Sequence, residues 1–261
     1  MLKDGLSTLA GAVAIVATQL PALAADLPLE PQPAPSRIVE DRWTFKVTPY
    51  LWAASLNAET RAGDSLELPF RDVLKNLNIA LMATAALEKG RFGFYSDLVY
   101  MHLEGSESTT ANLVNGPLNA RLDVTMQSFI TTNSLGYAFV ETPSTEIAGF
   151  GGFRYLWLKT DLDFSLGGFS ASASTDGQVI DAVAGLRGET RLADRWSVVY
   201  YGDIGTGQSD LTWQLYGAVG YDMKYLDLFA GYRYMGWRFD DVANLDSLDV
   251  HGPVIGARFR F

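Results

Sequence analysis

From Arg42 to its last residue, the chain alternates apolar and polar side chains at every second position. In "VIDAVAGLRGETRL", for example, Ile180 and Leu186 share one parity, whereas Asp181 and Arg187 share the other. Such alternation is typical of β-strands whose two faces meet different surroundings. It predicts ten strands, near 42–57, 77–88, 91–105, 119–140, 145–163, 178–192, 195–206, 211–223, 225–239 and 250–261.

Connection lengths indicate which face points outward. The connections after the second, fourth, sixth and eighth predicted strands are short: "EKGR", "ETPST", "ADRW" and "DMKY". Those after the first, third, fifth and ninth are longer, and "GTGQSD" after the seventh is short. Outer-membrane barrels have short turns at one end and longer loops at the other, with apolar side chains facing lipid. We therefore predict an all-β, closed antiparallel up-and-down transmembrane β-barrel of ten strands, with eight or twelve as alternatives.

The first 41 residues predict a leader and a tether. Lys3 precedes the apolar stretch 6–17, and "ALA" at 22–24 forms a small-x-small cleavage site, so residues 1–24 read as a cleaved signal peptide. Four prolines in 25–41 favour an extended periplasmic tether before a barrel at 42–261. The stretch "AADLPLEPQPAP" resembles the opening of mature small outer-membrane proteins from alphaproteobacteria.

All six tryptophans fall near predicted strand ends. Indole prefers the headgroup region of a bilayer, so barrels carry aromatic girdles at both interfaces. We predict four interface aromatics: Trp43 and Trp196 near the short turns, and Trp157 and Trp213 near the long loops. Trp52 and Trp237 fall on the inward parity instead.

The chain ends in "HGPVIGARFRF", with apolar side chains at alternate positions up to a terminal phenylalanine. This ending resembles the signal read by the outer-membrane barrel assembly machinery. The resemblance implies that Phe259 and Phe261 act as an assembly signal and that this machinery is a partner during biogenesis. It also implies the cell outer membrane as the location, with lipid and lipopolysaccharide as surroundings. Since lipid offers no hydrogen-bond partner, the last strand must pair with the first.

Composition excludes several classes of function. The 261 residues carry a formal net charge of −10 and include no cysteine. Because the sequence offers no basic stripe that could bind phosphates, we do not expect nucleic acid as a partner. Without cysteine, the protein has neither disulfides nor thiolate metal sites. We expect no metal and no cofactor.

The inward parity carries both signs of charge. We predict as barrel-interior charges Lys46, Asp97, Arg121, Asp123, Arg154, Asp181, Arg187, Glu189, Arg191, Asp203, Asp222, Asp227, Arg233, Arg258 and Arg260. Buried charges persist when they are paired, and a small barrel has a lumen that side chains can fill. We therefore favour a packed network of ion pairs over an aqueous pore. An inward Arg154 also places Leu156 and Leu158 inward, unless the fifth strand contains a bulge.

Two constellations suggest hydrolases. Asp249 and His251 form an Asp-x-His pair that, with Asp161 and Asp163, resembles the catalytic groups of omptins, the outer-membrane proteases. The alternative is that these aspartates belong to a solvated acidic surface.

The second constellation is His102 with Glu104, Ser106 and Ser108. It invites comparison with the outer-membrane lipid A deacylases, although the spacing differs from their His-x-Ser pattern. We expect neither activity.

The resemblance that covers most of the chain is to a family of poorly characterised, porin-like bacterial outer-membrane proteins. Its "PYLWA" first strand stands here at Pro49–Ala53, and its "KGR-aromatic-G" turn at Lys89–Gly93. The resemblance implies a barrel in the outer membrane of a Gram-negative bacterium and brings no catalytic residues. We therefore expect a non-catalytic barrel with a structural or small porin-like role.

Overall fold

Residues 42–61, 63, 65–113, 116–166, 169–240 and 245–261 are described by a computed structural model. The predicted signal peptide and tether lie outside these described residues. The strands are β1 (Thr44–Trp52), β2 (Ser55–Thr60), β3 (Ser65–Leu68), β4 (Leu77–Lys89), β5 (Phe92–Leu113), β6 (Gly116–Glu141), β7 (Thr145–Leu166), β8 (Phe169–Arg191), β9 (Trp196–Gly207), β10 (Leu211–Asp222), β11 (Asp227–Arg238) and β12 (Leu245–Arg260). A short helix, α1 (Phe70–Lys75), precedes β4.

Sheet pairing closes these strands into a ten-stranded antiparallel barrel, which confirms the predicted fold. Each strand from β4 to β12 pairs with its neighbour in sequence, and β12 returns to β1. β2 continues beyond β1 along the same edge of β12, so the two occupy one place in the barrel. β3 pairs with the other edge of β2. Within the described residues, no helix has the length and apolar character needed to span a bilayer.

The closing strand stays paired to its last residue. The Phe261 N–H donates to the Phe45 carbonyl (2.8 Å), and the Phe45 N–H donates to the Phe261 carbonyl (3.2 Å). The two rings also lie 6.2 Å apart on the outer surface. Phe261 is therefore part of the barrel wall.

The barrel is apolar outside and polar at its centre. Ile180 and Leu186 are 50% and 54% exposed on the outer surface, whereas Arg154 and Asp181 are fully buried inside. One end of the cylinder holds the short turns and the first and last residues of the barrel domain, and we call it the turn end. The opposite end is the loop end. An inward-facing ionic side chain reverses the usual arrangement of a water-soluble protein.

A band of apolar side chains encircles the outer surface. On β7 it runs from Ile147 to Trp157, after which Lys159 begins a polar stretch. Ten residue steps of ~3.3 Å along a strand tilted by roughly 40° give a height of ~25 Å, as in outer-membrane barrels. We call this surface the outward band.

The tryptophans divide between the two surfaces. Trp43 and Trp196 are strongly exposed at the turn end of the outward band, and Trp157 and Trp213 lie on its loop-end side. Trp52 and Trp237 are buried inside the barrel, as the register predicted.

The long loops expected after the third and fifth strands are mostly paired strand instead. β5 and β6 pair as far as Leu113 and Gly116, and β7 and β8 pair as far as Leu166 and Phe169. Segments such as "SESTT" and "SASAST" carry no large apolar side chain, so they lack the alternation of large apolar and polar residues that marks a strand within the band. Backbone pairing across a hairpin holds them together.

Phe261→Ala tests the predicted assembly signal. We expect several-fold less barrel in the outer membrane of producing cells, because the terminal ring is lost, while backbone pairing to β1 remains. Refolded in detergent, the same variant should keep a melting temperature within a few degrees of wild type, measured by heat-modifiable migration in gels. Leu215→Ala, which removes a similarly exposed side chain from β10, serves as the control. Normal assembly of Phe261→Ala would contradict the prediction that Phe261 is part of an assembly signal.

Candidate functional site

Arg154 lies fully buried at mid-height in the lumen. Its guanidinium donates hydrogen bonds to Thr132 (3.1 Å), Thr212 (2.9 Å) and Gln214 (3.2 Å) and forms an ion pair with Asp203. These partners belong to β6, β9 and β10, so Arg154 connects β7 to three other strands.

Arg233 forms a second centre at the same level. It donates to the Tyr50 hydroxyl (2.7 Å) and to the Gln214 carboxamide oxygen (3.0 Å), and it pairs with Asp97. Tyr50 in turn donates to Asp97 (2.7 Å). Because Gln214 accepts from both arginines, one connected network joins β1, β5, β6, β7, β9, β10 and β11 across the lumen. We call it the mid-lumen network.

An apolar cluster fills the lumen on the loop-end side of this network. Its buried members are Tyr50, Trp52, Ala54, Leu56, Val73, Met82, Val99, Met101, Leu103, Ile130, Leu156, Val179, Met235, Trp237, Phe239, Leu248, Val250 and Val254. We call it the loop-end plug. β7 pairs with β8 without a register shift, so Leu156 lies inward without the bulge considered from the sequence.

Aromatic rings join the plug to the network. The Arg233 guanidinium lies 4.8 Å from the centre of the Trp52 ring, and the Arg154 guanidinium lies 5.9 Å from that of Trp237. A cation facing an aromatic ring is stabilised by the ring quadrupole, more so when both are desolvated. The predicted interior charges did not reveal this plug. The sequence signal for it was the inward parity of the two tryptophans.

A cavity of about 200 Å³ occupies the turn-end half of the lumen, with Asp97 and Arg233 in its lining. Arg258 donates to Glu189 (2.8 and 3.0 Å) at its wall. The Arg187 guanidinium stands 3.5 Å from the centre of the Tyr95 ring. Paired charges and aromatic faces therefore alternate around this space. We call it the turn-end cavity.

Most of the predicted interior charges lie on the inward face. They are Lys46, Asp97, Arg154, Asp181, Arg187, Glu189, Arg191, Asp203, Asp222, Asp227, Arg233, Arg258 and Arg260. Arg191 and Arg260 lie at the turn-end rim, each with a half-exposed side chain paired to an aspartate.

Arg121 and Asp123 were wrongly predicted to be inside. The inward residues Ser128 and Ile130 stand at even positions of β6, whereas Arg121 and Asp123 stand at odd positions and therefore lie on its outer face. There the two side chains pair with each other (2.7 Å). This part of β6 extends past the outward band. There the outer face meets water, so polarity no longer indicates which side faces inward.

Asp181 secures the connection between β9 and β10. Its carboxylate accepts hydrogen bonds from the backbone N–H (2.8 Å) and the hydroxyl (2.7 Å) of Ser209. Both residues are buried. The short connection after β9 is thus held over the loop-end side of the lumen.

The two omptin-like pairs are not brought together. Asp249 and His251 lie on the outer face of β12, and Asp161 and Asp163 on the outer face of β7. β7 and β12 are five places apart in either direction around the ten-stranded barrel, so the pairs face away from each other.

Each pair has other local partners. His251 shares a hydrogen bond with the Tyr232 hydroxyl (2.7 Å), and Asp249 pairs with Arg238 (3.1 Å). Beyond the outward band, the Ser174 hydroxyl (2.5 Å) and the Lys159 ammonium (3.0 Å) hold the pKa of Asp161 below its ordinary value. Asp161, Asp249 and His251 are therefore each held by a contact on their own side of the barrel.

The proposed lipid A deacylase groups share one face of β5. His102 lies 3.3 Å from Glu104, and Ser106 and Ser108 follow at alternate positions. In an extended strand, four residue steps separate His102 and Ser106 by ~13 Å between Cα atoms, beyond the reach of a Ser–His hydrogen bond.

In the described part of the chain, no group of three or more metal-ligating side chains is placed to hold an ion.

No protein-family model matches the sequence, and a search of curated proteins also found no match. Several solved structures are similar in fold. The attachment invasion locus protein Ail of Yersinia pestis is 11% identical over 84% of this chain and 98% of that chain, with a TM-score of 0.39. The outer membrane protease OmpT of Escherichia coli is 9% identical over 85% and 98%, with a TM-score of 0.47. Neisserial surface protein A is 15% identical over 84% and 97%, with a TM-score of 0.33.

Arg233→Ala tests the mid-lumen network. Removing this guanidinium leaves the Asp97 carboxylate without its cation, so we expect a loss of about 3–5 kcal/mol in the free energy of unfolding. Urea titration of the barrel in lipid vesicles, followed by tryptophan fluorescence, measures it.

Two variants control this experiment. Arg233→Met combined with Asp97→Leu should lose less than half as much, because no unpaired charge remains. Arg121→Ala, which breaks an exposed ion pair outside the barrel, should leave the transition nearly unchanged. Equal losses from Arg233→Ala and Arg121→Ala would show that the buried ion pair contributes no more to the free energy of unfolding than an exposed one.

Proposed function

We propose that the protein is an integral outer-membrane β-barrel with a closed lumen and a structural, non-catalytic role. The observation that carries this proposal is the mid-lumen network, which crosses the barrel from β1 and β5 to β7, β9, β10 and β11. Side chains that bond across a lumen occupy the space that an ion or solute would use.

The outward band supports the membrane location. Large apolar side chains such as Leu51, Leu81, Leu135 and Ile255 are more than half exposed on it. Water-soluble monomers rarely expose contiguous apolar patches of more than a few hundred Å². Hydrocarbon removes this cost, and the ~25 Å height suits an outer membrane. Lipid and lipopolysaccharide are then the surroundings of the band, and the assembly machinery is a transient partner. The formal net charge of −10 argues against nucleic acid as a partner.

Three successive layers support a closed lumen over a small porin-like channel. From the loop end, a solute would meet the loop-end plug, where Trp237 and Met235 are fully buried. It would then meet the mid-lumen network. The turn-end cavity borders that network, because Asp97 and Arg233 line it.

The positions of both histidines support a role without catalysis. A protease of the omptin type needs its two pairs to face each other across a cleft, and here they lie on opposite sides of the barrel. A serine hydrolase needs its histidine within hydrogen-bond reach of the serine. Neither arrangement is formed by His251 or His102.

Planar-bilayer recordings test the closed lumen. We expect no stable unitary currents from wild type, nor from Trp43→Ala/Trp196→Ala, which removes two rings from the outer surface. A quadruple variant that loses rings and charges from inside the lumen should conduct, once heat-modifiable migration shows that it has folded. It combines Trp52→Ala, Trp237→Ala, Asp97→Ala and Arg233→Ala. Stable unitary currents from wild type would overturn the proposal in favour of a porin-like channel.

Hydrolysis assays test the absence of catalysis. Purified wild type, His251→Ala and His102→Ala should release products from a fluorogenic peptide library and from lipid A at the same background rate. A wild-type activity that either substitution abolishes would establish the corresponding hydrolase.

A further inference from the structure

Polar side chains occupy the middle of the outward band on two neighbouring strands. On the outer face of β6, Thr131 and Asn133 lie between Phe129 and Tyr137. Ser96 stands opposite Asn133 on β5. These are the positions that lie deepest in the hydrocarbon, since the aromatic residues on either side mark the two interfaces.

The rest of the band differs at this depth. At the corresponding outward positions of the other described barrel strands stand apolar residues or glycine, apart from Tyr232, whose hydroxyl bonds to His251. The apolar residues and glycines are Val47 and Pro49, Ala83 and Ala85, Gly151 and Phe153, Ala182 and Ala184, Gly202 and Ile204, Leu215 and Gly217, Ala230, and Ile255 and Ala257. The polar group is therefore a local feature of β5 and β6. It is not a general property of this barrel's surface.

The hydrogen bonds within this group leave part of Asn133 unsatisfied. The Asn133 carboxamide donates to the Thr131 hydroxyl (3.0 Å), which donates to the Asp97 backbone carbonyl (2.8 Å). Among the described residues, no hydrogen bond reaches the carboxamide oxygen of Asn133. A carboxamide has two donor hydrogens and an acceptor oxygen, so one donor hydrogen and the oxygen of this lipid-facing side chain remain available for further hydrogen bonds.

In hydrocarbon such capacity is costly. Lipid chains cannot accept or donate hydrogen bonds, and an unpaired amide loses the bonds that it would make to water. Between transmembrane helices, polar side chains set among small residues commonly form the contact, because small residues let the backbones approach closely. Here Ala83 and Ala85 of β4 lie beside Ser96 and would let a partner approach closely.

We propose that Ala83, Ala85, Ser96, Thr131 and Asn133, the lipid-face patch, form the contact surface for a second copy of this chain. Copies inserted into the membrane in the same direction hold Asn133 at the same depth. A two-fold axis along the membrane normal therefore places Asn133 opposite Asn133. Because a carboxamide is both donor and acceptor, this pair forms two reciprocal hydrogen bonds. The proposal rests on the membrane location but not on the closed lumen.

Single-cysteine cross-linking tests this dimer, since the chain has no cysteine of its own. Ser96→Cys places a thiol in the lipid-face patch. Leu215→Cys places one on β10, five places around the barrel from β5, on a side chain that is 59% exposed. In outer membranes from producing cells, a flexible, membrane-permeant bismaleimide, whose arm spans the gap that the two-fold axis leaves between the two Ser96 sites, should convert at least half of Ser96→Cys to a product of twice the chain's mass. It should convert under a tenth of Leu215→Cys.

Asn133→Leu in the Ser96→Cys background separates a specific contact from chance collision. Leucine suits a lipid-facing position, so the barrel should assemble normally, as judged by heat-modifiable migration, while the cross-linked fraction falls at least fivefold. Three results would overturn the proposal: no doubled product from Ser96→Cys, equal products from Ser96→Cys and Leu215→Cys, or a product of another mass that contains a different protein. Absence of the wild-type barrel from the membrane fraction would instead overturn the membrane location.

Discussion

The fold depends on one constraint: every backbone N–H and C=O that faces hydrocarbon must find its partner within the sheet. β12 meets it by pairing along its length with β1 and then β2, up to the reciprocal bonds between Phe45 and Phe261. That closure divides the alternating side chains into an outer and an inner set. Lipid receives the apolar set, and the ionic set is enclosed.

Enclosure then dictates how the interior is organised. A desolvated charge is tolerated when it is paired and hydrogen-bonded, and Arg154 and Arg233 meet this requirement through partners on strands across the lumen. The same bonds that satisfy the two arginines brace the cylinder and occupy its cross-section. Stability and the closed lumen that we propose thus have a common physical origin, with the loop-end plug adding apolar packing above the ionic layer.

The outer surface has its own consistency, with one exception. Aromatic residues stand at both borders of the outward band, and small or aliphatic residues lie between them. Ser96, Thr131 and Asn133 together break this rule, and Asn133 does so at the depth where a carboxamide is least tolerated. A second copy of the chain is the partner that automatically supplies a matching group at that depth, which links an irregularity of the sequence to an assembly in the membrane.

The sequence by itself determined the ten-stranded barrel, the sides on which most charges lie and the inward placement of Trp52 and Trp237, because period-two alternation is a local property of each strand. It misjudged Arg121 and Asp123 and read the hairpin extensions as loops, since beyond the band both faces of a strand meet water and alternation loses its meaning. Only the tertiary structure decided that Gln214 joins two arginines, that an apolar plug lies above them, and that His251 and Asp161 face opposite ways. Those relations depend on distances between strands far apart in sequence, which barrel closure alone sets.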